Sequence, residues 1–416
     1  MSGYEAVAMP PAERQFSRRA SIVGIGETDY AADYQAARTR PAGRQPPTPE
    51  RLLVTAFERA LADSGLSRSD IDGVTCSFTY GGPSALDVAR LLGTNPRFAE
   101  ANGNIMAGPL PVACAAIAAG KADTVAMVFS VAPRNTGRVY GGTTFAVANA
   151  DDPDAGGGAP VTYYAFNPWG WTSQAAHWAL MSSHYQWAYG VGEEELFSVA
   201  HQVREHARAQ PQAVMKTELT LEQYRASRYI VRPLRIFDIC IVNDGAVCLI
   251  VRRADMAGDL RQVPVDVAGW GHAKIKQDKL HAMVRERLRP QISAAADEAL
   301  AMAGLSLDDV GHFEGYDASS FHLVNQIEGV GFTEPGTGLA FCQDGQMTIG
   351  GRIPTNTAGG NLSGSYMQGW SQVAEAVRQL RHQAGRLQVP GLQVSMTNLA
   401  QTDQSHPLVL TRGERR

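Results

Sequence analysis

One passage of this chain is written twice, and that limits the fold more than any other feature. The segment AFERALADSGLSRSDIDGV, Ala56 to Val74, is answered by AADEALAMAGLSLDDVGHF, Ala295 to Phe313. Gly65 matches Gly304, Leu66 matches Leu305, Ser67 matches Ser306 and Asp70 matches Asp309, all at an offset of 239 residues. Each copy follows a short glycine-flanked strand pattern, IVGIG at Ile22–Gly26 and VAGWG at Val267–Gly271. A period that long, carrying strand, helix and strand, means two similar α/β halves and not a solenoid of small units. The expected halves are residues 21–252 and 262–412.

Local patterns fill in these halves. The spacing of Leu52, Leu53, Ala56, Phe57, Ala60 and Leu61 predicts an amphipathic helix over Pro49–Ser64, stopped by Gly65. Strands are expected at Ser21–Gly26, Thr124–Phe129 and Ile241–Val251, and loosely ordered chain at 1–19 and 31–49. An insertion of about 132–231 interrupts the first half, with helices expected at Ala175–Tyr189 and Glu193–Ala209. Insertions of that size on an α/β core usually shape a binding site. Its aromatic run (Tyr163, Tyr164, Phe166, Trp169, Trp171) reads equally as the lining of an apolar pocket or as a packed loop core.

Several function classes are excluded at this level. A net charge of −4 and a pI near 6.2, without a basic run, give no field for nucleic acid. The first twenty residues lack a signal-peptide core, and the apolar runs are strand-sized, so a cytoplasmic chain without a membrane span is expected. Five cysteines without CxxC spacing read as reduced thiols, and no metal site is expected. The GxG pieces at Gly24–Gly26 and Gly269–Gly271 open no helix with a third glycine and fail the dinucleotide fingerprint. His177 and His184 read as helix-face residues, and His201 and His206 as solvated. His312 and His322 flank Tyr316 as weaker candidates for chemistry.

Four stretches then carry a family resemblance. RPLRIFDICIVNDGA (Arg232–Ala246) resembles the PLRLLDCCPVSDGAAA signature of sterol-carrier-type thiolases. AAGKADTVAMV (Ala118–Val128) is similar to the helix–strand step after the thiolase nucleophile. NTAGGNLSGSYMQG (Asn356–Gly369) resembles the NxxGGxxSxGHPxGxTG block, and EGYDASS (Glu314–Ser320) stands where the family has its NE-x-F/A motif. The motifs run in family order over most of the chain, and the resemblance is to the thiolase-like superfamily. It implies a thiolase fold of five α/β/α/β/α layers, a homodimer, and a coenzyme A thioester as ligand, with no cofactor bound to the chain itself.

The departures from that family are chemical. Thiolases attack an acyl thioester with a cysteine at a helix N-terminus, where the dipole favours thiolate. Here the nucleophile slot falls at or near Gly103, and no cysteine lies between Cys76 and Cys114. Cys114, inside the next helix, and Cys240 read as packing residues. Tyr366 stands in the slot of the catalytic histidine, Tyr316 in that of the NE-x-F/A asparagine or histidine, and MTNLA (Met396–Ala400) replaces the CxGxG loop. The tyrosine pair resembles that of the lipid-transfer-protein aldolases that cleave steroid side chains.

That resemblance implies retro-aldol cleavage of a β-hydroxyacyl-CoA, with Tyr366 as base and Tyr316 as acid or oxyanion donor, or the reverse. Backbone N–H groups of Gly103–Gly108 and of Gly359 and Gly360 are candidates to hold the thioester oxygen, and Asn356 and Ser363 to shape the loop. A separate small OB-fold and zinc-ribbon subunit is the implied partner. The alternatives are an acyltransferase of the same fold, disfavoured by the missing cysteine, and a non-catalytic lipid-binding or interaction subunit.

Overall fold

In the computed structural model, residues 6–8, 14–39, 47–77, 83–101, 109–136, 173–275, 288–400 and 404–415 are described. The duplicated passage forms two helices of the same design. Helix α1 (Pro49–Ser64) has Thr48 as N-cap and Pro49 in its first turn, and ends at Gly65 with φ of 79°. Two more helices, α2 (Ala85–Leu92) and α3 (Pro109–Ala118), follow in the first half. The insertion contributes α4 (Gln174–Tyr189) and α5 (Phe197–Ala209). The second copy is α6 (Leu288–Ala303), ending at Gly304 with φ of 68°. After both glycines the chain repeats a side-chain clamp: the Ser67 N–H donates to Asp70 Oδ2 at 2.8 Å, and the Ser306 N–H donates to Asp309 Oδ2 at 2.8 Å. Helices α7 (Ser320–Val330) and α8 (Trp370–Leu380) complete the second half.

The strands repeat the same plan. The first half has β1 (Ala20–Glu27), β2 (Gly73–Ser77), β3 (Phe98–Ala101), β4 (Thr124–Val131) and β5 (Gly245–Arg253). The second has β6 (Val265–Trp270), β7 (His312–Gly315), β8 (Val394–Asn398) and β9 (Pro407–Arg412). The order β7-β8-β9-β6-β1-β5-β4-β2-β3 is two sheets joined where β1 meets β6, through Ser21 opposite Asp266 and Ile22 opposite Val265. On each side of that seam the first strand pairs antiparallel with the last (β1 with β5, β6 with β9). The last pairs antiparallel with the one before it (β5 with β4, β9 with β8), and that one pairs parallel with the second (β4 with β2, β8 with β7). Glycine makes the first strand of each half fit its helix. A Cβ on Gly26 would lie 2.0 Å from the Ala56 carbonyl oxygen, and one on Gly271 would lie 2.0 Å from that of Ala295.

Strand alternation sorts the layers. Val23, Ala126, Val128, Cys248 and Ile250 pack with Ala56, Phe57 and Ala60 of α1, on the outer face. Ile22, Val125, Met127, Leu249 and Val251 point the other way, to Leu110, Cys114 and Ile117 of α3. Helix α8 packs on β7, β8 and β9 and also on β1 and β5, so it lies between the two sheets. Trp370 of α8 stacks on Phe129 of β4, centroids 5.9 Å apart. With α6 packed on β6 and on α7, the result is five layers.

Four sequence expectations need correction. Residues Tyr30–Thr39 form a helix, seated by buried Tyr30 and Tyr34, where loose chain was expected. Within 1–19, Ala6–Ala8 is a strand. The strand expected from Ile241 begins only at Gly245, because residues 239–243 leave the ladder to brace the site. His206 is buried and not solvated, with Nδ1 3.3 Å from the Asn356 carbonyl.

Candidate active site

Tyr316 follows the last residue of β7, where the chain turns toward the N-cap of α7 at Ser319. Its backbone is held at both ends. The N–H donates to the Asn398 carbonyl of β8 at 2.9 Å, and its carbonyl accepts from Gln326 Nε2 at 2.7 Å. The ring packs edge-on against His322, centroids 5.9 Å apart, and His322 stacks on Trp178 of α4 at 3.8 Å. Burial pushes the His322 imidazole down to about 3, so it is neutral at pH 7. Both of its ring nitrogens lack a hydrogen-bond partner among the described residues.

Tyr366 arrives by a different route. A π-type turn at Gly360–Gly364 precedes it, closed by Ser365 N–H donating to the Gly360 carbonyl at 3.0 Å. The Tyr366 N–H then donates to Asn243 Oδ1 at 2.7 Å. The result is the central geometric fact of the molecule: the two phenolic oxygens, fifty residues apart in sequence, are 3.0 Å apart in space. Tyr316 is 6% exposed, while Tyr366 is only half-buried.

The other expected site residues are placed as follows. Asn356, with φ of 50°, makes a paired contact with Gly315, accepting from its N–H at 2.8 Å and donating to its carbonyl at 3.0 Å. It therefore fixes the end of β7 just before Tyr316. The Gly359 N–H is already given to the Asn356 carbonyl at 2.9 Å, and Gly360 faces the Asp317 carboxylate. Ser363 Oγ accepts from Arg204 Nε of α5 at 2.9 Å, which ties the turn to the insertion. Gly103 and the whole 102–108 segment lie outside the described residues, as do Tyr163, Tyr164, Phe166, Trp169 and Trp171. Cys76, Cys114, Cys248 and Cys342 are buried and Cys240 is half-buried. Burial pushes all five thiols well above their ordinary value, Cys114 and Cys240 to about 12. No group of three or more metal-ligating side chains occurs among the described residues.

Residues that sequence reasoning passed over do much of the positioning. Asn243 sits inside the RPLRIFDICIVNDGA stretch, and its departure from the serine of the resembled signature was the available hint. Asp317 is fully buried, and its carboxylate accepts from the N–H groups of Asn361 (2.8 Å) and Leu362 (3.1 Å). Burial raises it to about 7 against the pull of those N–H groups. Behind it, Thr357 Oγ1 lies within hydrogen-bond reach of Glu375 Oε1 (2.8 Å), Gln379 Nε2 (3.0 Å), His312 Nε2 (3.1 Å) and Glu314 Oε1 (3.3 Å). Burial lifts both glutamates to about 8 and lowers His312 to about 3, so His312 and Glu314, 3.2 Å apart, meet as neutral groups at pH 7.

The chain is similar to known proteins over most of its length. The family described as thiolase C-terminal domain-like matches residues 273–406. The chain is 33% identical over 374 residues to the 17-hydroxy-3-oxo-4-pregnene-20-carboxyl-CoA lyase of Mycobacterium tuberculosis, spanning 88% of this chain and 92% of that one. It is 31% identical over 372 residues to the steroid side-chain-cleaving aldolase of Thermomonospora curvata, spanning 87% and 90%. The solved Ltp2-ChsH2(DUF35) aldolase superposes with a TM-score of 0.80 at 28% identity, over 95% of this chain and 98% of that one.

Proposed function

Because the chain belongs to the thiolase-like superfamily, among its steroid side-chain-cleaving acyl-CoA aldolases, we propose that it is a carbon–carbon lyase acting on a β-hydroxyacyl-CoA with a bulky, steroid-like acyl group. The observation that carries the reading is the pair of tyrosine hydroxyls 3.0 Å apart, in a chain whose thiols are held protonated.

Tyr366, the more accessible phenol, takes the proton of the β-hydroxyl as a phenolate. The Cα–Cβ bond breaks, the β-carbon becomes a carbonyl, and the electron pair enters the thioester enolate. Tyr316 delivers a proton to Cα. One proton leaves oxygen and one arrives at carbon, so the reaction needs no co-reactant. A proton passed across the 3.0 Å contact returns the pair to its starting state. With the roles exchanged the balance is the same.

The chain works as a homodimer with a separate OB-fold and zinc-ribbon subunit. What supports a partner is the two-component name of the Ltp2-ChsH2(DUF35) aldolase, and the homodimer and the partner's fold are what the family resemblance implies. Light scattering of the chain expressed with and without such a subunit tests it. No helix among the described residues is long and apolar enough to cross a membrane.

The activity test is cleavage of a 3-hydroxyacyl-CoA with the partner present. Tyr366→Phe and Tyr316→Phe keep the rings, and loss of general acid–base catalysis lowers kcat by about a hundred- to ten-thousand-fold. Cys114→Ser and Cys240→Ser stay active. Two active phenylalanine variants beside a dead serine variant would make the protein a thiol-dependent acyltransferase.

A further inference from the structure

Two tyrosines carried by different loops act as a pair only if something fixes one loop against the other. The loop of Tyr316 leaves β7, and the loop of Tyr366 leaves a five-residue π turn that makes no sheet pairing of its own. Asp317, the residue after Tyr316, is where they meet. Its side chain is fully buried, and every bond it makes to that turn accepts a backbone N–H: Oδ1 from Asn361 at 2.8 Å and Oδ2 from Leu362 at 3.1 Å. Gln372 Nε2 of α8 donates to Oδ1 at 3.1 Å and to the Gly315 carbonyl at 2.9 Å, which holds the carboxylate from behind. The turn has closed fully onto it. A Cβ on Gly360 would lie 2.2 Å from Asp317 Oδ2, and Gly360 has φ of 49°.

We propose that Asp317 is a positioning residue for the cleavage reaction, setting the Tyr316–Tyr366 contact by holding the 360–364 turn against the Tyr316 loop; the inference rests on the aldolase reading above. Three residues separate Leu362 from Tyr366, and the chain between them is pinned at its far end by the Asn243 bond to the Tyr366 N–H. The first-half segment carrying Asn243 runs beside both loops, Cys240 N–H donating to the Ala318 carbonyl at 3.1 Å and Ile241 N–H to the Asn361 carbonyl at 2.9 Å. Asp317 and Asn243 are thus two clamps on one tyrosine, one at the start of its turn and one at its own amide. Ionised, as it is above about pH 7, Asp317 suits the first clamp because three donors converge on it and none of them needs a donor in return. An asparagine there would turn an NH₂ group toward a backbone N–H.

Asp317→Asn tests this in the complete enzyme, assayed well below the variant's melting temperature so that folded protein is compared with folded protein. Misalignment of a reacting pair lowers kcat by about a hundredfold, and KM moves less than threefold because Asp317 is fully buried and itself presents nothing to a substrate. Asn243→Ala lowers kcat in the same way. Since both clamps act through the seat of Tyr366, the double variant loses less than the product of the two single losses. A folded Asp317→Asn enzyme with kcat within threefold of the original, or a rise in KM alone, or losses that multiply, overturns the proposal. If Asp317→Asn does not fold, Gln372→Leu removes one of the three donors. A smaller fall in kcat at constant KM is then expected, and no fall overturns the proposal. Tyr366→Phe separates the two levels. If that variant is dead while Asp317→Asn is normal, only the positioning role fails; if it is fully active, the tyrosine chemistry fails with it.

Discussion

The two halves share a strand order but pack different chemistry around their helices α1 and α8. On the outer face of the first sheet, α1 meets Val23, Val74, Cys76, Ala126, Val128 and Ile250, a seam of apolar side chains. Around α8, the second half buries His312, Glu314, Asp317, Asn356, Thr357, Gln372, Glu375 and Gln379. Duplication explains the topology but not this contrast. Apolar burial is non-directional and holds a sheet to a helix without fixing a loop to within an ångström. Hydrogen bonds in a low-dielectric interior are directional and costly to leave unmade, so they specify loops. The buried polar groups around α8, with Asn243 reaching in from the first half, are the ones that fix both tyrosine loops.

The sharpest way to break the contrast is pH. In the second half Glu314 and Glu375 are raised to about 8 and Asp317 to about 7, while His312 and His322 are lowered to about 3. The raised carboxyls keep protons that the unfolded chain releases above its ordinary carboxyl range, so they lose stability as pH rises toward 8. The lowered histidines act the other way, gaining stability up to about 6.5 and nothing beyond. First-half Asp33 and Asp238 are raised only to about 6, so most of their loss is over by then. Above about pH 6.5 Glu314 and Glu375 carry most of the fall, up to about 1.4 kcal/mol per pH unit for each. Chemical denaturation at pH 6.5 and 8.5 measures it, and Glu314→Gln flattens the slope. A wild-type profile that rises over this range would end the account.

Next in size is Thr357→Val. It conserves volume but removes the hydroxyl that Glu375, Gln379, His312 and Glu314 share. About 3 kcal/mol is expected from several buried groups left unpaired. In the apolar seam, Cys248→Val costs less than about 1.5 kcal/mol. Equal costs in urea unfolding would mean that the two halves are not different in kind.

The glycine contacts test what the halves have in common. Gly26→Ala and Gly271→Ala each drive a methyl into a helix carbonyl at the same approach of 2.0 Å, so each costs about 2 kcal/mol. Urea midpoints that differ widely between the two would show that the repeat is one of sequence pattern and not of packing.

How much of this the sequence displays follows from what each feature depends on. The α1 and α6 copies, their terminating glycines and the Ser–Asp clamps are local, and local patterns can be read directly. The tyrosine pair is legible only because its flanking residues resemble a family's motifs; nothing in the spacing of Tyr316 and Tyr366 brings them to 3.0 Å. Asn243 and Asp317 are harder still. Their partners are backbone N–H groups 123 residues away for Asn243 and 44 and 45 away for Asp317, and a backbone N–H has no residue type to recognise. Ser363 shows the converse: motif position suggested a place in the site, and the fold spends its hydroxyl on Arg204.

The smallest expected effect is on the thiols, and it bears on the family's own nucleophile. Cys114 lies on α3, the helix that follows the nucleophile slot, with its side chain in the apolar core. With that thiol near 12, about one part in ten thousand is thiolate at pH 8, too little for nucleophilic attack or for alkylation at an ordinary rate. Iodoacetamide treatment of the folded protein therefore leaves cleavage within about twofold of its starting rate. The exception to watch is Cys240, the one half-buried thiol, whose backbone N–H bonds to Ala318 within the Tyr316 loop. An added carboxamidomethyl group there would push on that loop and slow the reaction by displacement. Cys240→Ser decides between the two causes: a variant that is fully active and no longer sensitive to the reagent shows displacement, whereas a dead variant shows that sulfur is needed and restores the thiol mechanism.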